Sequence, residues 1–112
     1  MIIVDEDARN AAADIVCKRL DGGTLEFSNN GVFLGACRFN QQAFEPAIGG
    51  AAKARAFLHS APARATAEAT EWVAKDRNGV AIIKGTGDDF PAKVEVFLGG
   101  IISIEEFIYQ SG

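Results

Sequence analysis

After Gly22-Gly23 the hydrophobic period of this chain changes from about 3.6 to two, and it stays at two for most of the remaining residues. Alternation commits a chain to extended segments with two unlike faces, and so predicts a body of β-strands. Leu25 and Phe27 share one face of a first strand, Asn29-Asn30-Gly31 supplies residues that tolerate positive φ in a hairpin turn, and residues 32–39 form the return strand. There, Phe33, Gly35, Cys37 and Phe39 alternate with Val32, Leu34, Ala36 and Arg38; both faces are largely apolar, which predicts a central strand. A second hairpin runs from Glu71 to Asp76, turns at Arg77-Asn78-Gly79 and returns along Val80 to Lys84. Two final strands, 93–98 and 101–109, are joined at Gly99-Gly100. In the last of them Ile102 and Ile104 fall with Glu106, while Phe107 and Tyr109 fall with Glu105, so a bulge near Glu105-Glu106 is expected to switch the faces.

Ahead of the glycines, residues 7–21 read as a helix, acidic at its start and carrying Lys18 and Arg19 near its end. Its apolar stripe is Ala8, Ala12, Ile15, Val16 and Leu20, too small to be stable without a surface to dock on. Residues 40–70 hold Pro46, Gly49-Gly50, Pro62 and many alanines, and predict a loop plus one or two alanine-rich strands. Every second residue from Ala61 to Ala69 is alanine, with Pro62, Arg64, Thr66 and Glu68 between. Such a methyl stripe lets a neighbouring layer or subunit approach closely. The 112 residues read as a single domain: an N-terminal arm over 1–6, the helix over 7–21 and a β-rich body over 24–110. The fold class is mainly β, an antiparallel β-sandwich with one N-terminal α-helix; a small β-barrel is the alternative.

A net charge of -4 gives no global field toward nucleic acid or anionic lipid. No uninterrupted apolar run reaches the ~18 residues of a membrane span, and the start lacks the pattern of a secretory signal, so a soluble chain made in the cytoplasm is expected. The locally basic stretch of Lys53, Arg55 and Arg64 reads as a solvated face or as a match for an acidic patch on another protein. Cys17 and Cys37 have no metal or redox spacing and read as buried free thiols, with a disulfide between helix and second strand as the other possibility.

Nothing in the chain spells out a reaction. His59, the one histidine, has no nucleophile motif beside it and reads as a turn or interface residue. Asp88-Asp89 reads as a polar loop tip, and Glu105 and Glu106, adjacent on a strand, face opposite ways. Gly85-Thr86-Gly87 lacks the rest of a phosphate loop. Trp72, Phe90, Phe97, Phe107 and Tyr109 read as core, or as a stacking platform for sugars or bases. No catalytic residue, cofactor or metal is expected.

Several pieces, in order, carry a resemblance: Leu20-Asp21-Gly22-Gly23-Thr24-Leu25-Glu26-Phe27 at the end of the helix, the run from Phe39 to Gly50, the alanine-rich stretch, Trp72 to Gly85, and Ser103-Ile104-Glu105-Glu106-Phe107. Together they span most of residues 9–110, and the chain resembles a family of small tailed-phage and prophage proteins that pair an N-terminal helix with a β-rich body. The resemblance implies a capsid decoration or cement protein on the virion surface, with a β-sandwich of jelly-roll type, often trimeric, bound to the major capsid protein. Asn29-Asn30-Gly31 is shorter than the loop that relatives often carry there. The contact is expected in the apolar arm Ile2, Ile3 and Val4, on a face shared by Lys53, Arg55 and Phe57, and at Ala65 and Ala67. The alternative is a tail-associated host-recognition or carbohydrate-binding module presenting Trp72 or Tyr109.

Overall fold

The computed structural model describes residues 5–58, 62–90, 93–102, 104 and 106–110. Helix α1 spans Glu6–Lys18 and starts where the Asp5 carboxylate accepts the Ala8 N–H at 2.8 Å. Glu6 and Asp7 in its first turn and Lys18 in its last complement the helix dipole. It stops before residue 21 because the chain tightens into i→i+3 bonds, Leu20 N–H to Cys17 O and Asp21 N–H to Lys18 O. The reversal then needs Gly23: a Cβ there would collide with the Lys75 carbonyl oxygen.

Strands β1 (Thr24–Asn29), β2 (Val32–Arg38), β3 (Ala51–Lys53), β4 (Ala67–Glu68), β5 (Glu71–Lys75), β6 (Ala81–Thr86), β7 (Glu95–Val96) and β8 (Ile108–Gln110) follow. Four of them form an antiparallel sheet in the order β2-β1-β5-β6. Both hairpins lie where the turn chemistry puts them. Asn30 (φ 45°) and Gly31 (φ 87°) make the first loop. In the second, the Asp76 carboxylate accepts the N–H groups of Asn78 and Val80, each at 2.9 Å, and Gly79 takes the positive φ. On the buried face Leu25 pairs with Cys37 and Ala74, and Phe27 with Gly35 and Trp72. On the opposite face Glu26 and Lys75 form an ion pair at 3.1 Å across β1 and β5.

Three expectations are corrected. First, β2 closes one end of the four-stranded sheet and is not central. Its register slips at Phe27-Ser28, leaving Leu34 unpaired, so that Leu34 and Gly35 are both buried while Phe33 comes to the surface. Apolar residues on both faces reflect cover from other segments: Leu58 N–H and Arg64 N–H bond to the carbonyls of Arg38 and Leu34, each at 2.8 Å. Second, the last two strands do not pair with each other. β7 pairs with β4 and β8 with β3, and the Gly99-Gly100 turn docks on Ala63 through Gly99 N–H to Ala63 O (2.9 Å) and Ala63 N–H to Gly100 O (2.8 Å). Third, α1 turns Ala13 and Cys17 inward, continued by Leu20, and leaves Ala8, Ala12 and Ile15 exposed.

A polar ladder fixes that rotation. Glu6, Asn10 and Asp14 recur every fourth residue on one side of α1, and their side-chain oxygens accept the N–H groups of Gly49 (3.1 Å), Gly50 (2.7 Å) and Ala47 (2.8 Å). Asp21 adds the N–H of Ala43 at 2.8 Å. The helix thereby lies beside β3 and β8 and gives the irregular 43–50 segment the partners its backbone requires. Among the described residues the sheets are open, and no barrel closes.

The core is aromatic. Phe107 has ring centroids of Trp72, Phe90, Phe44 and Phe39 at 5.0, 5.7, 5.9 and 6.3 Å, and the chain of rings continues from Phe39 to Phe57 (5.1 Å) and from Phe90 to Phe27 (5.6 Å). Ile102 and Phe107 are both buried, and the regular strand begins only at Ile108; Glu105, near which the sequence predicts a bulge, lies outside the described residues. Phe107→Ala should cost about 3–5 kcal/mol in chemical denaturation and shift Trp72 emission, because it removes the ring on which the others converge. A loss below ~1 kcal/mol would show that the two sides of the core hold without it.

Candidate functional site

Asp88 and Asp89 lie in a short 3₁₀ turn, Gly87–Asp89, directly after β6. One Asp89 oxygen accepts both the indole N–H of Trp72 and the N–H of Thr86, each at 2.8 Å. Gly85 leaves the space that this contact needs, since a Cβ would meet the Trp72 ring at 2.6 Å. The glycines at the end of β6 thus serve an indole and its carboxylate. Trp72, Phe90 and Phe107 are buried, and Tyr109 is half-buried. His59 and Glu105 lie outside the described residues, and among the described residues no three His, Cys, Asp or Glu side chains are grouped to hold a metal ion.

Both thiols are free and buried. Burial pushes the Cys17 thiol up from 9.0 to about 12, with Asp14 and then Asp21 adding to the effect, and burial pushes Cys37 up to about 11. The Cys37 Sγ also donates to the Ile102 carbonyl at 3.2 Å, a bond only the protonated thiol makes. Neither group is a nucleophile at neutral pH. Cys17 lines a cleft of about 440 Å³ between the end of α1 and residues 42–46, whose walls also carry Asp14, Lys18, Asp21 and Glu45.

The residues expected at an interface divide. Ile2, Ile3 and Val4 lie outside the described residues. Lys53 and Arg55 are exposed, whereas Phe57 turns inward against Phe39, so the three share no face. The regular strand ends at Lys53, which lets the chain rotate before Phe57. Ala63 and Ala69 are buried and Ala65 and Ala67 half-buried, while Pro62, Arg64, Thr66 and Glu68 point out. The period of two is therefore real over 62–69, but its methyl face lies on the molecule's own core. Ala63 packs over Gly35: a Cβ added to Gly35 would lie 3.4 Å from the Ala63 Cα.

The outward-facing apolar residues lie elsewhere. Phe97, Leu98 and Ile101, which flank Gly99-Gly100, are 63%, 68% and 59% exposed. The turn is held in place by Leu98 N–H to the Thr66 hydroxyl (2.8 Å) and by its two backbone bonds to Ala63. Arg64, next to Ala63 in the chain, holds its guanidinium over the exposed Phe33 ring at 5.9 Å, and Val32 is also exposed. The signal was present in the sequence: a glycine turn flanked by large apolar residues, where polar ones are usual. No family model, no curated protein and no solved structure matches this chain.

Two outcomes follow from this geometry. Below the unfolded thiol pKa both states are protonated; above it the unfolded chain ionises first, so stability should fall as pH rises from about 9 toward 11–12, and a Cys17→Ser, Cys37→Ser variant should flatten that limb of the denaturation profile. Ala65→Leu or Ala67→Leu should lower stability by about 1–3 kcal/mol through overpacking against the core, measured on the isolated protein.

Proposed function

We propose that this chain is a structural protein of a tailed-phage particle, a decoration or cement subunit that binds the outside of the capsid and braces contacts between major capsid subunits. In this reading its sheets form a reduced β-sandwich of jelly-roll type, and it acts as a homotrimer on the virion surface after synthesis in the host cytoplasm. The observation that carries the reading is the exposed apolar turn Phe97-Leu98-Gly99-Gly100-Ile101, fixed to the body by backbone bonds. An ordered apolar tip loses little conformational entropy on docking and supplies the dry centre of a contact. A lasting contact needs on the order of 1,000 Å² in total, so the tip would be its centre and exposed charges such as Arg64 its rim. The ordered series of sequence pieces described above supports assigning that partner to a phage shell.

Particles assembled without this chain should lose heat tolerance and regain it when purified protein is added back. A Leu98→Asp, Ile101→Asp variant should fold with unchanged denaturation midpoint but fail to bind or protect the particles. Particles whose composition and heat tolerance do not depend on the chain would overturn the reading.

A further inference from the structure

We propose that α1 is a releasable strap that opens as a unit, hinged at Arg19-Leu20, while the four-stranded sheet stays folded. Of its thirteen residues only Ala13 and Cys17 are buried, so α1 contributes little to the apolar core. Its attachment to the 43–50 segment is polar, through the oxygens of Glu6, Asn10 and Asp14, each of which water can replace. Leu20, fully buried just past the helix, pins the hinge to the body. The aromatic cluster draws on the segments from Phe27 to Phe107 and includes no residue of α1.

A second observation favours opening from within the closed state. Arg9 Nε is buried and has no hydrogen-bond partner among the described residues, with the Arg9 stem laid against Gly50, where a Cβ would come within 3.3 Å of Arg9 Cβ. A buried donor without an acceptor is a cost carried only by the closed form, since release returns it to water. Opening bares the N–H groups of Ala47, Gly49 and Gly50 together, so the open form differs from the closed one in a defined strip of backbone donors. The strap follows from the fold alone and stands whether or not the partner is a capsid.

Two thiols report on the two parts: Cys17 on the strap and Cys37 in the sheet, both buried. Under native conditions, with rates normalised to those in denaturant, alkylation followed by mass spectrometry should modify Cys17 about a hundredfold faster than Cys37. Asn10→Ala should speed Cys17 about fivefold by removing one acceptor. Arg9→Met keeps the stem, removes the unpaired Nε and should slow it. Cys37 should label at one rate in all three proteins. In the unmodified chain, the amides of α1 should exchange together, well before those of β1 and β5. Equal labelling of the two thiols would overturn the proposal. So would fast labelling of Cys17 with α1 amides protected as long as those of β1, since the reagent would then have entered through the cleft without release. If Asn10→Ala fails to fold, the amide exchange of the unmodified chain decides.

Discussion

Phe107 sits where the parts of this molecule with little hydrogen bonding between them meet. Ladders β3–β8 and β4–β7 are only two or three residues long, too short to hold the later segments on the main sheet by backbone pairing. Side-chain packing must supply the difference. Trp72 reaches Phe107 from β5, Phe90 from the 3₁₀ end of the second hairpin, and Phe39 and Phe44 from the irregular segment beside α1. Each aromatic pair adds about 0.5–1.5 kcal/mol beyond its buried area, and the geometries, from stacked at 27° to edge-on at 85°, are those that the ring quadrupoles allow. The Asp89 carboxylate completes the arrangement by satisfying the one polar atom of the indole.

Small residues set how closely other segments approach those rings. Ala63 lies over Gly35, so the 62–69 segment reaches β2 almost at backbone contact, and the Ile102 side chain meets the same glycine. Alanine is chosen there for its size, since a larger side chain would lift the whole layer. The alternate positions then point outward by geometry, which is how Arg64 comes to lie on Phe33 and Thr66 to hold Leu98. A stripe that looks made for assembly is in fact an internal spacer, and it carries the exposed turn that a partner would meet.

What could be read from the chain beforehand was what local chemistry decides. Asn30-Gly31 and Asn78-Gly79 specify their hairpins within a few residues, whereas the Asp5 cap starts α1 one residue earlier than the helix expected from residue 7. The pairings of β3 with β8 and of β4 with β7 join segments far apart in sequence and leave no turn signal; alternation shows that such segments are extended, not what they pair with. The bulge at Leu34 was hidden because a strand with two apolar faces reads the same in either register. The rotation of α1 was written in Glu6, Asn10 and Asp14, spaced by four, but polar residues at that spacing look like a solvated face unless the loop they serve is known. At the candidate site, Phe97, Leu98 and Ile101 were visible as residues; only their exposure was not.

Different forces therefore hold α1 and the body. Aromatic packing strengthens with temperature over the ordinary range as apolar hydration becomes less favourable, whereas hydrogen bonds to an exposed helix face compete with water throughout. The side chains of α1 that tie it to residues 43–50 are Glu6, Asn10 and Asp14, so a solvent that competes for hydrogen bonds acts on all three attachments. The exposed apolar turn belongs to the other part: it is bonded to Ala63, and through Arg64 to the edge of β2. A contact made there would be held on the aromatic body and would not depend on the state of the helix.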